Sequence, residues 1–125
     1  MAFDVDKGDE KAGARQGPTP GIVVREATGE DNDVLIALEL ESPLVMGDIE
    51  ETYDRSPEFF ACHRQKEAYR VVLCELDGRV AGVMAGVFQA PLIQGQRHKL
   101  VYVQQARVHQ DFHGRRVAWN LANDL

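Results

Sequence analysis

The chain has 125 residues, of which 44% are hydrophobic and 27% are charged, a composition typical of a single globular domain. Its formal net charge of −6 argues against a general nucleic-acid-binding protein, which needs a basic surface. The apolar runs are too short to span a bilayer, the first residues lack the layout of a signal peptide, and the two cysteines lack the spacing of metal ligands. We therefore expect a cytoplasmic protein that binds no metal, membrane or nucleic acid.

The first part of the chain differs in composition from the rest. Residues 1–20 are rich in Gly, Asp, Lys and Pro and poor in large apolar side chains. Such a segment buries too little surface to offset the entropy lost on ordering, so we expect a flexible N-terminal tail. The domain itself is expected to comprise residues 21–125.

The first half of the domain predicts one strand and two helices. The β-branched run "GIVVREAT" is typical of a strand. Thr28 and Asp31 have the spacing of a capping box, and the apolar residues that follow recur at helical spacing to about Glu41. The segment "RSPEFFACHRQK" predicts a second helix, with Ser56 as its N-cap and Pro57 at its first position.

The second half predicts three strands and a helix. Asp77 and Gly78 separate two apolar runs, as in a β-hairpin, and both runs are apolar on both faces. Helices are therefore expected on each side of the sheet, with Gly82 and Gly86 allowing close packing on one side. "KLVYVQQARV" predicts another strand, and a final helix carries the apolar stripe Val117, Leu121 and Leu125. This order predicts an α/β or α+β fold with a mixed sheet in three layers.

The C-terminal stretch "ARVHQDFHGRRVAWNLANDL" runs from a strand through a tight turn into a helix. Backbone N–H groups at such a helix start, together with the helix dipole, bind anions such as phosphate. A plain connection with two solvated arginines is the alternative interpretation of this turn.

The order of elements and this turn together resemble the GCN5-related N-acetyltransferase (GNAT) superfamily, over about residues 22–125. The acetyl-CoA signature of that family follows its fourth strand: a Val, a Pro two residues later, then [Q/R]-x-x-G-x-[G/A]. Val108, Gly114 and Ala118 match the Val, a frequent Gly and the closing small residue.

Three positions depart from this signature. Gln110 stands at the Pro position, His113 at the Gln/Arg position and Arg116 at the signature glycine. An arginine side chain at that last position is expected to crowd the ligand where glycine would not. The resemblance nevertheless implies a backbone cradle for the pyrophosphate of acetyl-CoA, with the cofactor-binding residues Val108, His113, Gly114, Arg115, Arg116, Val117 and Ala118.

The catalytic groups stay open at this point. The family often places a carboxylate base just before the signature Val, and the matching residue here is Gln105, which does not titrate. Tyr102 and His109 are weak alternatives, because a strand tyrosine is more often packing and a loop histidine more often exposed. Glu75 and Cys74 are weaker still, since neither has an evident partner in sequence.

The resemblance also implies a further strand and helix beyond Leu125, so the GNAT-like three-layer fold is expected to be incomplete at its C-terminus. A sequence cut short, a natural truncation without catalysis, and completion by a partner copy in a homodimer are the three explanations. An acidic group lies between the first two predicted helices and comprises Glu39, Glu41, Asp48, Glu50 and Glu51. These residues either contact a cationic acceptor or form only a solvated face.

The function implied is transfer of an acetyl group from acetyl-CoA to a primary amine of a small molecule or protein. One alternative is a non-catalytic module that binds acyl-CoA or dimerises on the same scaffold. Another is an unrelated interaction domain whose Gly-Arg-Arg turn is only structural. The acceptor is not identified by the sequence.

Overall fold

The computed structural model describes residues 2–4, 21–64 and 68–125. The elements in chain order are strands β1 (Ala2–Asp4) and β2 (Ile22–Glu26), a 3₁₀ turn (Gly29–Asp31), helix α1 (Asn32–Leu40), strands β3 (Leu44–Met46), β4 (Ile49–Glu51), β5 (Tyr69–Leu76), β6 (Arg79–Gln89), β7 (Leu92–Ile93), β8 (Gln96–Arg97) and β9 (Leu100–Val108), a second 3₁₀ turn (Gln110–Phe112) and helix α2 (Val117–Asp124). No helix in the described part of the chain is long and apolar enough to cross a membrane.

Five strands form the central sheet in the order β1, β9, β6, β5, β2. All four pairings between them are antiparallel, so the mixed strand directions expected from the sequence are not found among the described strands. Short connections account for the antiparallel pairing of β5 with β6 and of β6 with β9, because tight turns join antiparallel neighbours and parallel neighbours need a long crossover. The α+β class and the three layers are confirmed.

The hairpin of β5 and β6 forms the centre of the sheet. Asp77 and Gly78 both have positive φ, 53° and 79°, as the predicted tight turn requires. Helix α1 covers one face and builds a core of Leu35, Ile36, Leu38, Phe59, Val71, Leu73, Val83 and Ala85. Helix α2 covers the other face, with Val72, Cys74, Leu76, Ala81, Met84, Phe112, Val117 and Leu121. This explains why both strands carry apolar residues on both faces.

Helix α2 approaches the sheet closely at the two predicted glycines. A Cβ atom at Gly82 would lie 2.7 Å from a methyl group of Val117 and 2.9 Å from the carbonyl oxygen of Arg107. At Gly86 it would lie 2.8 Å from a methyl group of Leu125. Gly82, which pairs with Val108, therefore lets the start of α2 pack close to the end of β9, and Gly86 lets Leu125 pack at the other end of the helix.

The predicted second helix does not form in its described part, up to Arg64. Asn32 at the start of α1 holds the segment, since its side-chain nitrogen donates to the carbonyl of Pro57 at 3.0 Å and its side-chain oxygen accepts from the N–H of Phe59 at 2.8 Å. The Pro57 carbonyl is then engaged by α1 instead of a following turn of helix. Residues 59–64 form turns, with His63 N–H bonded to the Phe60 carbonyl at 3.0 Å. Residues 65–67 lie outside the described residues.

Five short strands lie where no element was predicted. Strands β3 and β4 form a hairpin that turns at Gly47, and β7 and β8 turn through Gln94 and Gly95, all at positive φ. β1, within the expected tail, pairs with Leu100–Tyr102 of β9. The remainder of the expected tail lies outside the described residues.

Candidate functional site

The turn between β9 and α2 is anchored by His109, which is buried. Its backbone N–H donates to the Ala81 carbonyl at 2.8 Å, and its ring Nδ1 accepts from the backbone N–H of Asp111 at 3.1 Å. Because Nδ1 accepts, Nε2 carries the proton in the neutral ring and points at the Glu41 carboxylate, 3.2 Å away. His109 thus ties the turn to the end of α1, which favours a structural role over a catalytic one.

The backbone from Gly114 to Arg116 has the geometry of an anion cradle. Gly114 has a φ of +80°, and nothing lies within 4 Å of the position of a Cβ atom there. Arg116 has φ 63° and ψ 24°, the left-handed conformation that favours glycine, and caps α2. The family's signature glycine stands at this position, so the backbone conformation that suits glycine is retained although the residue is arginine.

The first turn of α2 follows this cradle directly in the chain. Within the helix, the Asn120 N–H donates to the Arg116 carbonyl at 3.1 Å, and the Asn120 side chain donates to the same carbonyl at 2.8 Å. The N–H groups of the preceding helical residues have no acceptor inside the helix, because no helical turn precedes them to supply carbonyl groups. Val117 and Ala118 therefore offer donors at the positive end of the helix dipole.

The arginine side chains of the turn lie away from this cradle or in solvent. The Arg116 guanidinium lies over the Trp119 ring, 4.4 Å from its centroid, and so follows the helix. Arg115 is exposed. His113 is exposed as well, and its Nε2 lies 3.0 Å from the Val108 carbonyl. The Arg116 side chain thus lies along the helix, and the open backbone at Gly114 is compatible with a pyrophosphate.

A β-bulge lies in the middle of β9, five residues before the turn. Gln105 pairs with Ala85, whereas Val103 pairs with Gly86, so Gln104 is an extra residue in β9. A bulge turns neighbouring side chains to one face and bends the strand. Both glutamines consequently reach toward the α1 side of the sheet. Beyond the three residues that pair with β1, no described strand pairs with the outer edge of β9.

A buried polar cluster surrounds this bulge. Gln105 is only 4% exposed, Glu39 1% and His63 2%. The Gln105 side-chain nitrogen donates to the Glu39 carboxylate, and its oxygen lies 2.9 Å from His63 Nε2. The Nε of Arg55 lies 3.5 Å from the second Glu39 oxygen, which completes an ion pair. The neutral candidate Gln105 is therefore the link between two titratable side chains.

The sequence did not predict that Gln105 links Glu39 to His63, although the position of each of these two residues indicates burial. Glu39 lies four residues after Leu35, on the apolar stripe of α1, where a carboxylate must find a buried partner. His63 follows Phe59 at the same spacing. The expected acidic group is divided, because Glu39 points inward whereas Glu41, Asp48 and Glu50 are exposed.

The remaining sequence candidates lie away from this cluster. Tyr102 is exposed near the start of β9, where it pairs with β1 and β6. Glu75 is bound to Arg25 at 3.2 Å, on the side of β2. Burial raises the pKa of the Cys74 thiol, and the charge of Glu75 raises it further, which disfavours a thiolate nucleophile.

Three crystal structures resemble this arrangement of strands and helices. A transcriptional regulator from Bacillus halodurans C-125 has a TM-score of 0.59 at 15% identity, and the match covers 81% of this chain and 69% of that chain. A GNAT family acetyltransferase from Staphylococcus aureus subsp. aureus USA300_TCH1516 has a TM-score of 0.58 at 13% identity, covering 83% and 74%. A ribosomal-protein-alanine N-acetyltransferase from Brucella melitensis biovar Abortus 2308 has a TM-score of 0.55 at 20% identity, covering 82% and 68%.

The chain has a GNAT-like fold. No protein-family model matches the chain, and no curated protein sequence matches it. The similarity to the GNAT structures therefore lies in the fold.

Proposed function

We propose that this chain is an acetyl-CoA-dependent N-acetyltransferase that acts on a primary amine. The observation that carries the proposal is the left-handed backbone at Arg116, immediately before α2, in a GNAT-like fold. N–H groups at the start of a helix bind anions, and those of α2 follow Arg116 directly. Phosphate is the ligand class that such a helix start binds best.

In this proposal, the coenzyme pyrophosphate is held by the backbone N–H groups of Gly114, Val117 and Ala118. The unpaired outer edge of β9 supplies backbone donors and acceptors to the pantetheine arm, and Val108 lines that path. Bound acetyl-CoA supplies an activated thioester carbonyl. The chain's contribution is to orient that carbonyl and to accept the proton that the amine loses.

A second candidate is a non-catalytic acyl-CoA-binding module on the same scaffold. It is favoured by Gln105, because an amide stands where the resemblance implies a carboxylate base. It predicts acetyl-CoA binding without acetylation of any amine. The two candidates therefore share the cradle and differ in turnover.

Calorimetric titration with acetyl-CoA tests the cradle. Gly114→Asp places a negative charge against the pyrophosphate and is expected to weaken binding at least about tenfold. The matched control is Gly95→Asp, since Gly95 has a φ of +79° against +80° for Gly114 and both sites are open. The control is expected to bind acetyl-CoA like the parent chain. Equal weakening by both substitutions, or no binding by the parent, would refute the cradle.

Turnover separates the two candidates. Release of free thiol from acetyl-CoA is followed with a panel of primary amines: a peptide with a free N-terminal alanine, a lysine peptide, a polyamine and an arylamine. Acetylation of any of these, identified by mass spectrometry, supports the transferase. Micromolar acetyl-CoA binding without acetylation of any member supports the binding module instead.

A further inference from the structure

Glu39, Gln105 and His63 form one hydrogen-bonded chain in the interior, between α1 and the bulge of β9. All three side chains are more than nine-tenths buried. An ionised carboxylate only accepts hydrogen bonds, so the bond from Gln105 to Glu39 must use the amide nitrogen as donor. The orientation of the Gln105 amide is therefore determined by Glu39.

This orientation determines the tautomer of His63. The Gln105 oxygen faces His63 Nε2 at 2.9 Å, and an amide oxygen accepts, so Nε2 carries a proton. In the neutral ring, Nδ1 is then the nitrogen with a lone pair. A carboxylate acting on a histidine through an intervening hydrogen bond is the arrangement that orients a general base.

The other ring nitrogen faces the exposed residue of the bulge. His63 Nδ1 lies 3.3 Å from the side-chain oxygen of Gln104. In this orientation Gln104 accepts from a protonated Nδ1, and after rotation of its amide it would donate to a neutral Nδ1. Gln104 is thus able to satisfy both protonation states of the ring. Phe59 and Tyr69 cover the ring, with centroids 5.8 and 6.1 Å away.

We propose that His63 takes up the proton of the acceptor amine at Nδ1, through a water molecule held by Gln104, and that Glu39 and Gln105 are positioning residues. This inference rests on the proposed function. The bulge places Gln104 on the strand whose outer edge is unpaired, so a reactant beside that edge lies one side chain away from Nδ1.

The proton and electron balance of the reaction is complete with acetyl-CoA as donor. The ammonium form of the acceptor gives one proton to His63, and the nitrogen lone pair forms the new C–N bond at the thioester carbonyl. The C–S bond breaks, and the leaving thiolate takes the second proton from the former amine nitrogen. His63 then returns its proton to solvent past Gln104.

Nitrogen-15 NMR of the histidine rings tests the geometry without any activity. The expected spectrum shows neutral His63 with the proton on Nε2, and Glu39→Gln is expected to change the ring shifts, because a glutamine no longer imposes one amide orientation on Gln105. A neutral ring with its proton on Nδ1, or shifts unaffected by Glu39→Gln, would overturn the proposal.

Steady-state kinetics with an acetylated amine from the panel test the chemistry. His63→Gln is expected to lower kcat about 10²- to 10⁴-fold with acetyl-CoA affinity unchanged within threefold. Matched substitutions away from the site, His98→Gln and Glu30→Gln, are expected to leave kcat unchanged. Full kcat in His63→Gln would overturn the inference while the proposed function stands. Failure of the parent chain to bind acetyl-CoA would instead overturn the proposed function.

A surface variant keeps the test decisive if His63→Gln does not fold. Gln104 is exposed, so substitution there leaves the core intact. Gln104→Leu fills a similar volume but provides no polar group for water or for the ring, and is expected to lower kcat at least tenfold. Gln104→Ala no longer holds the water but opens Nδ1 to solvent, and is expected to lower kcat severalfold less than Gln104→Leu does. Equal kcat values in these two variants would overturn the proposal.

Discussion

Substitution of Arg116 separates the two effects that act on the start of α2. At φ 63° the left-handed conformation of a residue with a Cβ atom destabilises the folded chain by about 1–2 kcal/mol relative to the right-handed region. Glycine has no Cβ atom and avoids this cost. Glycine also makes the unfolded chain more flexible, which offsets about 0.4–1 kcal/mol of that gain. Arg116→Gly is therefore expected to be more stable than Arg116→Ala by about 1 kcal/mol, since both variants lack the guanidinium.

The free energy of unfolding of the parent chain is expected to lie between the values for these two variants or close to the value for Arg116→Gly. Its guanidinium contacts the Trp119 ring at 4.4 Å, a cation–π contact worth about 0.5–1 kcal/mol at an exposed site. Arg116→Gly loses this contact and gains the backbone relief, so its free energy of unfolding is expected to stay within about 0.5 kcal/mol of the parent. Urea denaturation measures all three values.

The matched control is Arg115, whose φ is not positive. There the order is expected to reverse, with Ala more stable than Gly by about 0.4–1 kcal/mol, because only the flexibility of the unfolded chain differs. If alanine is as stable as glycine at residue 116, the left-handed conformation is not a cost, and the argument that this position retains the geometry of a signature glycine fails.

Three further predictions concern the fold around the site. Gly82→Ala is expected to destabilise the chain by about 1–3 kcal/mol in urea denaturation, since its Cβ would lie 2.9 Å from a backbone carbonyl; an unchanged midpoint would refute the close packing of α2. The hydrogen bonds from Arg25 hold the pKa of Asp31 below its ordinary value, so this pair stabilises the fold above about pH 4 and its contribution is lost as pH falls through the folded-state pKa. Arg25→Gln is expected to cost about 1 kcal/mol at pH 7, allowing for solvent screening, and to reduce the loss of stability between pH 5 and pH 2; a parallel pH profile would contradict this. A thiol reagent is expected to label Cys62, which is exposed, at least tenfold faster than Cys74, whose pKa is raised by burial; equal rates by mass spectrometry would show that the native sheet opens readily.

Local signals in the sequence were sufficient for the elements that depend on short-range chemistry. The turn at Asp77 and Gly78 was predictable because only a few residue types tolerate positive φ at both positions. Helix α1 was predictable from its capping box and apolar spacing. Two-sided apolar strands correctly predicted helices on both faces of the sheet.

Other features depend on contacts between distant residues. The segment from Ser56 resembles a helix start, but Asn32 of α1 takes the Pro57 carbonyl and prevents a following turn from using it. The left-handed conformation of Arg116 was not predictable from the sequence, because arginine has no preference for positive φ.

The sequence alone thus determined the four long strands β2, β5, β6 and β9, the two helices, the central hairpin and the place of the turn before α2. These features follow from hydrophobic periodicity and from the conformational limits of individual residues. The chain that joins Glu39, Gln105 and His63 was decided only by the tertiary structure. Its members lie on a helix, a strand and a turn, and one extra residue in β9 brings them together, because a bulge changes which side chains share a face without leaving a pattern in the sequence.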